Sequence, residues 1–333
     1  MRIFVLACCL FLAGCGGKSG GSPVRIANPG AGLQTSTIPV TLAQSLGYYQ
    51  EEGLEVVLEN LASVAKNMQA LLGGSVDAAA VIYVQNIQVA AEGQRVRSFF
   101  VMSQRDNKVL AVAPKAMQRI RRVEDLKGAV IGVSSAGSST HLWLNHVLAG
   151  HGVSTTDFSA VGIGVAAPAI AAFESGRVDA VGMGGGDHFY LLRRHPDARI
   201  LAETTTPGGM RESYGGDTFA GGTLSAKQEW LDRNPDTARR LARAVLRARN
   251  WIVTHSAEEI RERLPEGFRS PDAAVDLDII RSTLGDFYTA DGRMPKGAPE
   301  TIRRYLDATV ENVRNARIDL AATWTNEFLP EGK

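Results

Sequence analysis

Leu71–Val81 reads LLGGSVDAAAV and Phe173–Met183 reads FESGRVDAVGM. Each stretch passes from a helical apolar pattern through glycine to Val-Asp-Ala, and then into a short apolar run. Glycine after the last periodic residue stops a helix, and a short apolar run bounded by turn residues is the pattern of a buried strand. The same helix–turn–strand unit used twice implies two lobes of similar architecture. Asp77 and Asp179 stand at the two strand entries, where a short carboxylate is expected to bond turn amides.

The pattern extends outward from both stretches. Before the first, Val24–Gly30 reads as a strand, Ser36–Tyr49 as a helix and Leu54–Asn60 as a strand; after it come a helix at Gln85–Ala91 and a strand at Val96–Met102. Before the second, Ala129–Val133 is a strand that enters the loop SSAGSST (Ser134–Thr140) and then a helix. Strands separated by helices indicate crossover connections, hence an α/β fold with mainly parallel sheets flanked by helices. The last third is helical. Asn234-Pro235 reads as a helix cap followed by a first-turn proline. Ala238, Leu241, Ala242, Val245, Leu246 and Ile252 then mark a buried stripe. Arg239, Arg243 and Arg247 recur on another face, read as solvated.

The chain of 333 residues carries 36 basic and 35 acidic side chains. Such a balance argues against a nucleic-acid partner, which needs a basic surface. All three cysteines, Cys8, Cys9 and Cys15, fall in the opening MRIFVLACCLFLAGC. Arg2 followed by the apolar run Ile3–Leu12 has the layout of a secretory signal, and the run is too short to span a bilayer. Leu12-Ala13-Gly14-Cys15 resembles the lipobox of bacterial lipoproteins. That resemblance implies a signal peptide over residues 1–14 and a lipid on Cys15, which would hold the chain at an extracytoplasmic membrane surface. Residues 15–22 then form the lipidated cysteine and a Gly/Ser tether reaching roughly 15 Å. A mature chain so processed has no free thiol, which excludes a cysteine nucleophile, a thiolate metal site and a disulfide framework.

Three segments carry a wider resemblance: PVTLAQSLGYYQEEGLEVVL (Pro39–Leu58), VEDLKGAVIGVSSAGSSTHLWLNHVLAGHGV (Val123–Val153), and the pair GGSVDAAA and SGRVDAV. Together they are similar to the sulfonate/taurine/nitrate and thiamine-precursor group of substrate-binding proteins for ABC importers. The resemblance implies a type II periplasmic-binding-protein clamshell, with residues 23–118 plus 222–333 as lobe one and 119–221 as lobe two. It also implies a small organic solute between the lobes, a permease and its ATPase as partners, and a monomer without cofactor or metal. Ligand sensors share this fold, and a thiamine-pyrimidine synthase is a relative. That enzyme carries a cysteine cluster that is missing here, and the six histidines lack metal spacing, so no catalytic residue is assigned.

In open α/β sheets ligands lie beyond the carboxyl ends of the strands. The loops expected there, residues 28–37, 59–67, 82–86, 134–140 and 182–188, are rich in hydroxyls, amides and glycine. The candidate ligand-binding residues are Gln34, Ser36, Thr37, Tyr83 and Asn86 from one lobe, with Tyr83 as a stacking surface. From the other they are Ser135, Ser138, Ser139, Thr140, Asp187 and His188. First-turn N–H groups of the helix after SSAGSST lack intrahelical partners and suit an acidic head group. His141 either orders that loop or touches ligand, Tyr48-Tyr49 are expected to pack a helix on the sheet, and a glycine-rich turn alone also accounts for Asp187-His188.

Overall fold

The computed structural model describes residues 22–30, 33–216 and 218–331. The signal segment, Cys15 and the tether up to residue 21 lie outside them. In chain order the elements are β1 (Val24–Pro29), α1 (Ile38–Ser45), α2 (Tyr48–Glu51), β2 (Val56–Leu61), α3 (Val64–Gly73), β3 (Ala78–Ile82), α4 (Val84–Ala91), β4 (Val96–Val101) and β5 (Lys108–Val112). Then follow β6 (Val130–Val133), α5 (Ser139–Gly150), β7 (Ser159–Gly162), α6 (Ala167–Glu174), β8 (Ala180–Gly184), α7 (Asp187–Arg194), β9 (Ile200–Glu203), α8 (Pro207–Tyr214) and β10 (Gly222–Lys227). The chain closes with α9 (Gln228–Arg233), α10 (Pro235–Ile252), α11 (Ala257–Arg263), α12 (Ala273–Arg281), α13 (Ala298–Thr309) and α14 (Glu311–Asn315).

Two five-stranded sheets result, ordered β2-β1-β3-β10-β4 and β7-β6-β8-β5-β9. Superposing these orders maps β1–β4 onto β6–β9 and β10 onto β5, so the repeated unit extends through both lobes. Each sheet is mixed rather than wholly parallel. β10 runs antiparallel to β3 and β4, and β5 antiparallel to β8 and β9. The reversed strand is in each case the first one the chain forms on arriving from the other lobe.

The repeated aspartates differ in role from the turn-capping expectation. Asp77 Oδ2 accepts the Arg25 N–H at 2.8 Å, and Asp179 Oδ2 accepts the Val130 N–H at 2.9 Å. Each therefore pins the entry of the neighbouring strand. Asp77 N–H returns a bond to Arg25 O and Asp179 N–H one to Val130 O.

Two boundaries shift from the sequence reading. β5 pairs with β8 and β9, so the chain has left the first sheet before residue 108 rather than at 118. Residues 222–333 also do not serve lobe one alone. Ile302, Tyr305 and Leu306 of α13 join one apolar cluster with Ile82 and Val101 of the first sheet, Leu110 and Ile131 of the second, and Trp143 of α5. A stripe this apolar is driven out of water against both lobes.

On α10 the arginines lie on a solvated face as expected, with Arg239 and Arg243 exposed, and two of them also find acidic partners. Arg243 and Arg247 pair with Glu52 and Glu51, and the Arg247 guanidinium lies 4.2 Å from the Tyr48 ring centre. Pro235 opens the helix as expected, but Asn234 makes no cap bond and donates to Trp230 O instead.

The two crossing segments lie side by side: Gly221 N–H donates to Ser103 O and Gly222 N–H to Ser103 Oγ, both at 2.8 Å. A Cβ on Gly222 would sit 1.9 Å from Ser36 O, so this crossing tolerates no side chain. Gly222→Ala is expected to cost at least about 2 kcal/mol through overpacking, read as a lowered denaturation midpoint with an unchanged slope.

Candidate functional site

A cavity of about 80 Å³ lies between the lobes, lined from one side by Gln34, Ser36, Ser63 and Gln85 and from the other by Ser134, Ser138, Ser139, Thr140 and Asp187. Its walls are the carboxyl ends of β1, β3, β6, β7 and β8 and the turns into the helices that follow. The five glycine-, hydroxyl- and amide-rich loops all reach it. Four helix N-termini, those of α3, α4, α5 and α7, open at its surface, and the positive end of a helix dipole gives each a positive bias.

Among the eleven candidate residues, Gln34, Ser36, Ser138, Ser139, Thr140 and Asp187 border the cavity, whereas Thr37, Tyr83, Asn86, Ser135 and His188 do not. Tyr83 is fully buried, its hydroxyl 2.5 Å from Thr323 Oγ1, and burial pushes its pKa far up. Its ring therefore belongs to the core, which corrects the expectation of a stacking surface. Asn86 is likewise turned inward, exchanging bonds with Ser225 Oγ at 3.1 and 3.2 Å. Thr37 is buried and donates to Gln34 O. His188 is buried, its ring 4.3 Å from that of Phe189.

The serine loop divides its labour. Ser138 Oγ caps α5 by accepting the His141 N–H at 3.3 Å, and it lies 2.9 Å from Thr140 Oγ1, which is also 2.9 Å from Ser134 Oγ. His141 orders the loop, because its Nδ1 accepts the Gly137 N–H at 3.0 Å. Gly137 needs its left-handed φ of 72° for this turn. Ser139, one position on, faces the cavity without such duties in the loop.

Sequence reasoning missed Asp106 and Lys108. Both border the cavity and are buried, and they form an ion pair. Tyr214 OH completes the group, donating to Asp106 Oδ2 at 3.1 Å and accepting from Lys108 Nζ at 3.3 Å. Burial lowers the Lys108 pKa well below its ordinary value. The signal was a lysine opening the apolar run Lys108–Ala113. Because β5 is antiparallel, its start rather than its end faces the cleft. Gln85 was also passed over; its Oε1 is buried without a hydrogen-bond partner among the described residues.

The lobes meet closely at the end of β8. A Cβ on Gly184 would lie 3.1 Å from Thr140 Cγ2, one on Gly185 3.0 Å from Gln34 Oε1, and one on Gly186 2.7 Å from Ile279 Cδ1. Beyond this glycine run, Asp187 Oδ2 accepts the Ala166 N–H at 2.8 Å, and burial pushes its carboxyl up to about 6. Burial pulls His188 the other way, down to about 4.

These neighbours oppose each other in stability. The raised Asp187 binds its proton more tightly in the folded state, so its contribution falls as pH rises from about 4 to about 6. The depressed His188 binds its proton less tightly when folded, so its contribution is lost as pH falls from about 6.5 to about 4. Over this shared window the two largely cancel. Asp187→Asn is therefore expected to steepen the loss of stability on acidification between pH 6.5 and 4 by up to about 3 kcal/mol relative to the parent. His188→Gln is expected to shift the slope the opposite way, with stability gained relative to the parent on acidification, both read by urea denaturation at a series of pH values.

The NMT1/THI5-like family model matches residues 34–259. A solved protein from Bordetella bronchiseptica RB50 is 32% identical, with 92% of this chain and 96% of that one covered and a TM-score of 0.84. The periplasmic aliphatic sulphonate binding protein SsuA from Escherichia coli shares the fold at 19% identity, with 93% and 99% covered and a TM-score of 0.69. The periplasmic nitrate-binding protein NrtA from Synechocystis PCC 6803 shares it at 14% identity, with 92% and 86% covered and a TM-score of 0.68.

Proposed function

The chain belongs to the NMT1/THI5-like family, and from that premise we propose that it is the extracytoplasmic solute-binding component of an ABC importer. It closes two lobes on a small acidic organic solute and presents the closed form to a permease and its ATPase. The observation that carries this reading is the interlobe cavity itself: helix N-termini of both lobes converge on it, and Lys108, paired with Asp106, lies buried in its wall. Solvated charges on the solute are exchanged there for first-turn N–H groups and hydroxyls. The names of the sulphonate- and nitrate-binding neighbours point to the same ligand chemistry. Binding is non-covalent, and closure couples affinity to the state the transporter recognises.

A thermal-shift screen of sulfonates, carboxylates and nitrate tests the reading, because a solute far above its Kd raises stability by several kcal/mol. At least one acidic solute is expected to shift the melting temperature; a panel that moves nothing sinks the reading. With that solute, Ser139→Ala is expected to weaken binding about tenfold or more, the loss of a charge-assisted bond, while apo melting stays put. Ser138→Ala is expected instead to cost about 1 kcal/mol of apo stability as a lost helix cap.

Lipid attachment at Cys15 belongs to the same proposal, supported by the lipobox-like Leu12-Ala13-Gly14-Cys15. The acyl chains would anchor the domain; among the described residues no helix is long and apolar enough to cross a membrane. Cys15→Ser is expected to abolish palmitate labelling and leave an unprocessed precursor; persistent labelling would remove the anchor from the proposal.

A further inference from the structure

Among the described residues, the charged side chains that border the cavity are Asp106, Lys108 and Asp187, two carboxylates and one ammonium. Asp106 and Lys108 form an ion pair that Tyr214 completes. The pair presents no net charge, whichever partner holds the proton. Asp187 is left over. Ionised, it would face a solute anion across a space of only about 80 Å³, and like charges sharing a desolvated site do not both stay ionised. Asp187 also begins α7, whose positive end favours one negative charge. The solute and an ionised Asp187 would compete for it.

No cation is placed to hold the Asp187 charge. The residue is 6% exposed. Its Oδ2 accepts the Ala166 N–H at 2.8 Å, and no other hydrogen bond or ion pair to it occurs among the described residues. On its own helix Arg193 pairs with Asp278 at 3.2 Å and Asp272 at 3.7 Å, and Arg194 with Glu174 of α6 at 2.7 Å. His188 is buried and held neutral, and Glu203 of β9, which acts on it, accepts from Thr206. Tyr190 donates to Asp276 of α12, whose other oxygen accepts from Arg261. From lobe one, Arg269 donates to the Leu264 and Glu262 carbonyls. Burial therefore acts on Asp187 unopposed by any counter-charge and favours the neutral acid. Ala166, at φ 54° and ψ −129°, is the non-glycine residue with positive φ among the described residues. Strain of this kind collects at ligand clamps. Here it delivers the N–H that fixes Oδ2 as an acceptor and leaves Oδ1 to carry a proton.

We propose that the solute is bound together with one proton, which Asp187 carries on Oδ1 and donates as a hydrogen bond to an anionic oxygen of the solute. Asp187 then selects its ligand as a buried neutral acid, a role in which a carboxyl group is a donor rather than an acceptor. One proton from solvent enters with one solute anion, so the charge of the closed site is unchanged by loading. This rests on the reading that the cavity binds an acidic solute, and it adds the protonation state in which the site accepts one. Capture thereby answers to the pH outside the membrane.

The test is titration calorimetry on the full chain with methanesulfonate, nitrate and acetate as probes. Methanesulfonate and nitrate stay ionised throughout the range used, so a proton taken up with them belongs to the protein. At pH about 7.5, the binding enthalpies in two buffers of different ionisation enthalpy are expected to report an uptake of about one proton. Only the protonated fraction is competent, so affinity is expected to fall about tenfold per pH unit above about 6 and to level off below it. Asp187→Asn keeps the Ala166 bond through its amide oxygen and donates from its amide nitrogen. It is expected to remove both the uptake and the slope, and at pH about 8 to bind about tenfold or more tighter than the parent. Should that variant not fold, the parent alone decides: a slope beginning near pH 6 supports the proposal and a flat profile overturns it. Anion binding without proton uptake, or uptake that survives Asp187→Asn, overturns the proton coupling and leaves the acidic-solute reading intact. Absence of binding by all three probes at every pH overturns both.

Discussion

The architecture depends on one repeated carboxylate. Asp77 and Asp179 each stand at the entry of a strand and hold an N–H at the start of the parallel strand beside it, Arg25 of β1 and Val130 of β6. A parallel pair joined by a helical crossover has no hairpin turn to fix its register. A one-residue slip would exchange buried and exposed faces along the strand. The aspartates fix that register at the strand entries, and the opposite ends then fall level with one another. Those level ends are where the loops of both lobes gather around the cavity, so the geometry of the site follows from a bond at the far end of each sheet.

The reversed strands explain how two such sheets share a hinge. Each sheet leaves a place between its third and fourth parallel members, filled by a strand that arrives from the other lobe and runs the other way. β5 and β10 therefore begin near the cleft, and the segments that lead into them lie side by side through Ser103, Gly221 and Gly222. The same reversal brings Asp106 and Lys108 to the cavity. Tyr214, which ends α8 just before the second crossing, bonds the aspartate. Through Tyr214 the buried ion pair thus links the two connections between the lobes, and an anion reaching Lys108 would compete with Asp106 for it. Replacing a partner in a desolvated pair is a large electrostatic change, placed where it can influence closure.

Much of this was legible in the chain. The repeat Leu71–Val81 and Phe173–Met183 gave two lobes, apolar runs gave most parallel strands, and polar loops gave the cavity's rim. What escaped was set by contacts distant in sequence. β5 and β10 carry no periodic signature beyond a short apolar run, and only pairing with strands far along the chain makes them members of a particular sheet. Tyr83 and Asn86 sit in a loop of the right composition, yet one helical turn decides which side chains face the cleft, and Gln85 rather than either neighbour does so. Thr323 and Ser225, which hold the two inward-turned residues, lie in the C-terminal third. No local reading of residues 82–86 could have supplied them. Arg243 and Arg247 pair in the same way with Glu52 and Glu51 across the fold.

The glycine run at Gly184–Gly186 joins the cavity wall to the contact between the lobes. Its sequence reads as a flexible turn that clears space around Asp187, but its neighbours give it a sharper purpose. At three successive positions a methyl group would press on Thr140, Gln34 and Ile279, one from the same lobe and two from the other. The lobes can approach as closely as they do because nothing projects from this segment, and a side chain at Gly186 would hold them apart at Ile279 as a wedge. Immediately after it, Asp187 begins α7, whose Tyr190 hydroxyl donates to the buried Asp276 of α12 at 2.9 Å. A few residues thus connect the cavity wall to an interlobe contact. Asp187 and Tyr190 stand on the same short helix, so under the proposed function a solute resting against Asp187 would bear on the helix that carries this interlobe bond.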